Sequence, residues 1–272
     1  SCYDCVESIM IELPFNELLP VGICSYLNVD SLIECRAKSR IPHNAQSVIV
    51  YLFPYYLGEE FYTDSNISKY AVPEDYHIIA TRYLKEAVQQ LQIKYPENSF
   101  ELFCDNSPLK EVDIAVACGL GVKGKNGLLI NRKYGSFCFI GEIITDLKTE
   151  YSLPEDRTCY GCGLCEKKCP SNALGGYKVD VKKCLSNVTQ LKGELSDEQK
   201  ELVKKSDCIW GCDVCQNVCP MNKDISVSPV KEFYDTAKSI YTPADSIEGR
   251  AYAWRGKKVI DRNFEIKYCK DI

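Results

Sequence analysis

Residues 159–170 read Cys159-Tyr-Gly-Cys162-Gly-Leu-Cys165-Glu-Lys-Lys-Cys169-Pro170, and residues 212–220 read Cys212-Asp-Val-Cys215-Gln-Asn-Val-Cys219-Pro220. The first run has the full C-x2-C-x2-C-x3-C-P spacing of two-cluster ferredoxins. Three thiolates, each two residues apart, wrap a tight loop around one iron–sulfur cube, and the fourth, displaced cysteine faces away toward a second cube. The second run repeats the last three cysteines and the proline. Such a repeat is what a module needs if each run donates its final cysteine to the other's cluster. Structural zinc takes single four-ligand sets and does not explain a repeat that ends twice in Cys-Pro. The spacing therefore predicts two [4Fe–4S] clusters.

One ligand is out of place. The repeat puts its first cysteine at position 209, where the chain has Ile209. Cys184 and Cys208 are both available as the eighth ligand. Cys208 is one residue out of frame and would force a different loop around the cube, whereas Cys184 can fold back on the long insertion between the runs. The expected sets are Cys159, Cys162, Cys165 and Cys219 on one cluster, and Cys169, Cys184, Cys212 and Cys215 on the other.

The rest of the chain reads as an ordinary globular protein of 272 residues, 45% hydrophobic and 26% charged. Nine of its 17 cysteines fall between Cys159 and Cys219. The chain is long enough to build a core without disulfides, so tight Cys-x-x-Cys spacing favours metal over bridges. Cys2 and Cys5 form a further pair with no second pair to match, and the scattered cysteines read as small apolar residues. No apolar run approaches the length of a membrane span and no export signal is read at the start, so a cytoplasmic, membrane-free protein is expected. Residues 1–154 carry 13 basic and 20 acidic side chains, and residues 155–225 carry 11 of each. That balance lacks the basic excess of a general nucleic-acid binder, and no DNA partner is expected. A small basic patch at Arg250, Arg255, Lys257 and Lys258 could meet phosphates but reads first as solvated surface.

N-terminal to the cysteines the pattern is α/β. Residues 47–53 (SVIVYLF) form a β-branched and aromatic run stopped by Pro54, a buried strand. After Pro73, apolar residues from Tyr76 to Leu91 recur every three to four positions, predicting an amphipathic helix that ends before Pro96. Phe100–Cys104 is a second strand. A second helix is expected to open with Ser107 as cap and Pro108 at its first position, and to stop at Gly119. Further strands are expected at Leu128–Ile130 and Ser136–Ile143. Ser196-x-x-Gln199 is a capping box for a short helix. The expected organisation is an α/β (α+β) N-terminal sheet domain over 1–153, a C-terminal two-cluster ferredoxin-like domain over 154–225, and an extension over 226–272.

Gly119-Leu-Gly121-Val-Lys-Gly124-Lys125 fits the glycine spacing of a dinucleotide fingerprint, but it follows a helix and precedes a strand, the reverse of what that fingerprint needs. Two readings remain open. Either Gly119, Gly121, Gly124 and Lys125 let backbone and charge approach a flat or phosphate-bearing cofactor, or the segment is a plain helix-to-strand turn.

Several stretches together resemble epoxyqueuosine reductase. They are Tyr70-Ala71 with Asp75-Tyr76-His77, then Cys104-Asp105-Asn106-Ser107-Pro108, the loop from Gly119 to Ile130, and Tyr134–Glu142. The likeness continues through Lys183-Cys184-Leu185-Ser186 and Gly211–Gln216, covering roughly residues 47–225. The resemblance implies a corrinoid-binding α/β domain joined to the two-cluster module, with base-off cobalamin bound over the former. A low-potential donor of the ferredoxin or flavodoxin type would feed the clusters, and an epoxide on a modified tRNA nucleoside would be reduced. Asp105 falls at the family's general acid, and His77 matches a histidine near the active site. Without the resemblance, Asp105 reads as a strand-end turn residue and His77 as a surface residue. The chain is expected to be a shortened member, rewritten near its start and without the C-terminal helical repeats that help others bind tRNA. The runner-up reading is a two-cluster electron-transfer protein serving a corrinoid or flavin partner. A reductive dehalogenase-like enzyme fits less well with the motifs of residues 70–142.

Overall fold

In the computed structural model, residues 8–269 are described, so the Cys2–Cys5 pair lies outside the described residues. In chain order the strands are β1 (Val21–Ser25), β2 (Ser47–Pro54), β3 (Phe100–Cys104), β4 (Val122–Lys123), β5 (Leu129–Ile130), β6 (Cys138–Thr145), β7 (Leu174–Gly175) and β8 (Lys178–Val179). The α-helices are α1 (Tyr76–Lys94), α2 (Glu111–Ala117), α3 (Leu164–Lys168), α4 (Leu185–Val188), α5 (Asp197–Lys205), α6 (Val214–Asn217), α7 (Lys231–Asp235) and α8 (Lys257–Tyr268). Chain contacts divide the molecule into two units that interleave in sequence. The first takes residues up to Phe53, Ile79–Lys123 and Cys138–Thr158; the second takes Pro54–Ile78, Gly124–Phe137 and Cys159–Ile272.

The first unit is built on a four-stranded sheet in the order β1-β2-β6-β3. β1 pairs with β2 and β3 with β6, both antiparallel, with Ile23 opposite Ile49 and Leu102 opposite Ile143. All eight residues of β2 are buried, which is what a continuous apolar run predicts for a strand covered on both faces. α1 lays Ile79, Ala80, Leu84, Ala87 and Leu91 on the core along one face and leaves Ile93 in solvent. Each fully buried leucine or isoleucine of this kind contributes roughly 1.5–3 kcal/mol. At the far end of α1, Asp146 ties down the turn into β3 through Ser99 N–H (3.0 Å), Ser99 Oγ (2.8 Å) and Asn98 Nδ2 (3.0 Å).

α2 starts later than expected. Its cap is Lys110, with no side-chain capping bond, and its first helical residue is Glu111. Ser107 is diverted: its hydroxyl donates to buried Glu142 on β6 and accepts from Leu109 N–H at 3.1 Å. A partner 35 residues away therefore overrides the local capping signal.

The second unit holds an aromatic core. Trp210, Tyr241, Tyr252 and Phe233 are each at most 1% exposed, with Trp210 and Tyr241 edge-on to Tyr252 at 6.0 and 5.5 Å. Their polar atoms are matched: Trp210 Nε1 donates to Tyr70 Oη at 2.7 Å, and Asn66 pairs with the Tyr241 backbone at 2.8 and 2.9 Å. α5 carries the expected capping box, Ser196 with Gln199, and its Val203 packs with Leu185, Val188 and Leu195. The basic patch is structural in part. Arg250 is 9% exposed and donates to the carbonyls of Ala71, Val72, Thr236 and Lys238, while Lys257 reaches Tyr241 Oη and Pro243 O. Among the described residues no helix is long and apolar enough to cross a membrane.

Candidate metal centres and catalytic residues

The two cysteine runs fold into matching loops in the second unit. Gly161 and Gly163 at φ 66° and 71° turn the first run, and α3 then carries Cys165 inward and ends at Cys169. In the second run Gly211 at φ 76° precedes Cys212, α6 carries Cys215, and Cys219 caps a short 3-10 turn beginning at Pro220. Gly211 has no alternative, because a Cβ there would run into the side chain of Ser68. α3 packs directly on α6, so the end of each run lies near the start of the other.

The thiols fall into two neighbourhoods. Cys219 is within electrostatic reach of Cys159 and Cys162, and Cys165 of Cys159. Cys212 is within reach of Cys184 and Cys169, and Cys215 of Cys212, Cys184 and Cys169. Burial pushes the Cys212 thiol up to about 11 and that of Cys215 up to about 12, so both are protonated at neutral pH until a metal displaces the proton. A cavity of about 190 Å³ opens beside this second set, lined by Pro170, Leu185, Cys208, Gly211, Cys212 and Asp213. Each neighbourhood draws on both runs, as the donor sets of two [4Fe–4S] clusters would, while among the described residues no three such side chains gather tightly enough to hold a single metal ion.

Cys208 sits differently. Its electrostatic neighbours are Asp213, Cys212, Asp207 and Lys69, and burial pushes its thiol up. The residue after it, Ile209, is fully buried and donates its N–H to Asn66 O at 2.7 Å. The position where the repeat lacks a cysteine is thus filled by a core residue.

Part of the glycine segment belongs to this neighbourhood. Asn126, 4% exposed, neighbours the Cys215 thiol and draws it down against the effect of burial, a neighbour that no sequence signal singles out. Lys125 pairs with Glu166 on α3 at 3.0 Å, and the other Glu166 oxygen accepts from Gly176 N–H at 3.1 Å. At Gly124 a Cβ would meet Asn126 Oδ1 and Ile130, so the chain itself occupies that space. Gly119 and Gly121 belong to the first unit. There Gly119, at φ 72°, ends α2 with its N–H on Val116 O, and a Cβ would strike the Leu153 carbonyl.

Asp105 is exposed at the end of β3, and it and Asn106 take φ values of 51° and 37°. Both residue types tolerate this left-handed region better than most. Just behind them the Ser107–Glu142 bond anchors the loop. Glu142 is fully buried, and burial, then the nearby Glu111 carboxylate, push it up to about 8 against the pull of Ser107. It is therefore chiefly protonated at neutral pH. An acid with a raised folded-state pKa contributes stability that is intact below the unfolded value near 4.5 and lost as pH rises through about 8. At about 1.4 kcal/mol per unit the loss amounts to a few kcal/mol. Thermal melts of a Glu142→Gln variant should be flatter than those of the parent between pH 5 and 8, and parallel profiles would refute the assignment.

His77, in the second unit, is half-buried in the first turn of α1. Its Nδ1 donates to Asp75 Oδ1 at 2.7 Å, its N–H reaches the same oxygen at 3.1 Å, and its ring stacks on Tyr76 at 4.0 Å. Asp75 therefore caps the helix and fixes the imidazole tautomer through Nδ1.

Two family models match the chain. "4Fe-4S double cluster binding domain" covers residues 158–222, and "Epoxyqueuosine reductase QueG, DUF1730" covers residues 37–106. The chain is 34% identical over 215 residues to an epoxyqueuosine reductase of Lactococcus garvieae, a match spanning 74% of this chain and 61% of that protein. The match spans between 46% and 65% of the length of the curated relatives compared. Among solved structures, epoxyqueuosine reductase from Streptococcus thermophilus aligns with a TM-score of 0.76 at 24% identity, over 93% of this chain and 78% of that one. An epoxyqueuosine reductase solved with an epoxyqueuosine-modified tRNA-Tyr stem loop aligns with a TM-score of 0.75 at 23% identity, over 91% of this chain and 76% of that one. At that identity these two likenesses establish a shared fold.

Proposed function

The chain belongs to the epoxyqueuosine reductase family, and we propose that it is an iron–sulfur, cobalamin-dependent reductase that removes the oxygen of an epoxide on a modified tRNA nucleoside. Converting such an epoxide to an alkene and water takes two electrons and two protons. The observation that carries the proposal is the pair of four-thiol neighbourhoods in one unit, a relay for single electrons. Cys159, Cys162, Cys165 and Cys219 would hold one cluster, and Cys169, Cys184, Cys212 and Cys215 the other. Bound cobalamin would supply a low-valent cobalt able to gather single electrons and deliver them as a pair. Asp105, exposed on its left-handed loop, gives a proton to the departing oxygen. His77, its imidazole oriented by Asp75 through Nδ1, would take part in substrate hydrogen bonding or proton transfer. The electron donor in this reading is a low-potential carrier of the ferredoxin or flavodoxin type. The tRNA partner rests on the family and on the stem-loop complex of the similar protein.

The second reading, an electron carrier without its own catalysis, draws on a specific observation. The space at Gly119 and Gly124 is filled by the chain's own atoms, and Lys125 is paired with Glu166. These residues do not by themselves form a cofactor cradle. Anaerobic titration of the cluster-loaded protein with cobalamin separates the readings. The reductase reading expects the spectrum of base-off cob(II)alamin, followed by turnover of an epoxyqueuosine-containing stem loop. No binding at all would leave the carrier.

A further inference from the structure

Asp105 and Asn106 are consecutive exposed residues at φ 51° and 37°. Two side chains next to each other in the left-handed region are strained, and such a pair persists only where its surroundings hold it. One residue grips both of its ends. Ahead of the pair, Glu142 on β6 stands opposite Phe103 in the β3–β6 ladder. Behind it, the Glu142 carboxyl accepts from the hydroxyl of Ser107, whose Oγ in turn accepts from Leu109 N–H at 3.1 Å. Pro108 O then accepts from Ile33 N–H at 2.7 Å, and Leu109 is 1% exposed. The chain is therefore fixed as far as Cys104 and again from Ser107, and the two exposed residues project between.

This clasp is buried and lacks a counter-charge. Glu142 is fully buried, Ser107 is 7% exposed, and among the described residues Glu142 Oε1 has no hydrogen-bond partner. The titratable groups acting on the carboxyl are Glu111 on α2 and Cys24 on β1, and Cys118 at the end of α2 feels it in turn. Its sheet neighbour β2 carries Tyr51 as its one titratable side chain, β3 sets Phe103 opposite, and α1 meets the adjoining Gly141 with Leu84. None of these groups is a cation.

We propose that Glu142 is a positioning residue for Asp105: its buried carboxyl, acting through the Ser107 hydroxyl, clasps the 105–106 turn in the conformation that presents the acid, and releases it on losing its proton. The role rests on Asp105 being the acid of the proposed reduction. Burial, then Glu111, push the Glu142 carboxyl up to about 8 against the pull of Ser107. A pKa raised in the clasped state favours that state below the raised value and weakens it as pH climbs through it, since the carboxylate is better served by water. Between pH 7 and pH 9 the clasped-to-open ratio then falls about tenfold.

The test takes two readouts from the reconstituted, cobalamin-loaded full chain, after iron content has been matched. Hydrogen exchange by mass spectrometry, corrected for the intrinsic rate at each pH, follows peptides spanning residues 104–110. Protection there should fall about tenfold from pH 7 to pH 9 in the parent. It should stay level in Glu142→Gln, whose amide oxygen still accepts from Ser107, and be low at every pH in Ser107→Ala. Turnover of an epoxyqueuosine stem loop at pH 7 reads the link to the acid. Ser107→Ala should lower kcat about tenfold to a hundredfold with KM unchanged, and lower it no further in the Asp105→Asn background. Protection that ignores pH in the parent, or that falls equally in Glu142→Gln, would overturn the clasp. So would a Ser107→Ala chain as well protected as the parent; should that chain not fold, the Gln comparison decides. An undiminished effect of Ser107→Ala in the Asp105→Asn background would overturn the positioning role while leaving Asp105 as the acid. Full turnover by Asp105→Asn alone would instead sink the acid, and the positioning role with it, whatever the exchange pattern.

Discussion

Replacing Cys184 with alanine is expected to leave a chain that retains one cluster and loses about half its iron, while Cys208→Ala keeps both. The reason lies in what each cysteine would have to give up to act as a ligand. Cys184 opens α4, with its N–H on Asp180 O at 3.0 Å, and it already shares an electrostatic neighbourhood with Cys212 and Cys215. Cys208 is pinned. Its carbonyl accepts from Ser206 Oγ at 2.6 Å, and the next two residues, Ile209 and Trp210, are fully buried and bonded to Asn66 O and Tyr70 Oη. Swinging Cys208 into the ligand position would pull on both, and each fully buried side chain of this kind is worth roughly 1.5–3 kcal/mol. Iron and sulfide analysis with spin quantitation on both reconstituted variants decides the matter. A Cys208→Ala protein that loses half its iron while Cys184→Ala keeps it all would reverse the assignment.

Asp105→Asn should reduce turnover of an epoxyqueuosine stem loop by about 10²–10⁴-fold, the usual worth of a positioned proton donor. The substitution suits the question because asparagine accepts the left-handed φ of 51° as readily as aspartate does, so the loop keeps its shape while the acid is lost. Ser107 and Glu142 continue to anchor the loop from behind. Iron content and cobalamin binding should match the parent. Undiminished turnover with intact clusters would remove Asp105 as the acid and return it to a strand-end turn residue.

The sequence made some features readable because their causes are local. The apolar run at 47–53 has only one way to be satisfied, burial on both sides, and β2 is buried throughout. The capping box at Ser196 closes within four residues. Cysteine spacing is likewise a property of one short loop at a time. What stayed hidden depends on partners far along the chain. Ser107 was expected to cap a helix, but Glu142 takes its hydroxyl. Asn126 meets Cys215 from 89 positions away, and no periodicity encodes that contact. Arg250 looked like surface charge, yet four carbonyls gather around it. The segments Pro54–Ile78 and Gly124–Phe137 carry no cysteine, so nothing in their composition ties them to the cysteine-bearing unit they join.

The strand order β1-β2-β6-β3 sets a timetable for the newborn chain. The interior strand β6 is the last of the four to leave the ribosome, and β2 and β3 must each wait for it with an edge unpaired. Such non-local pairing is slow to form and exposes sticky edges meanwhile. Assembly of the metal module would finish later still, because in the proposed assignment Cys219 completes the first cluster's set and is made 60 residues after Cys159. During translation, then, the sheet has the opportunity to close before any iron can be fully enclosed. Cluster loading would then be a finishing step on a chain whose four sheet strands are already made.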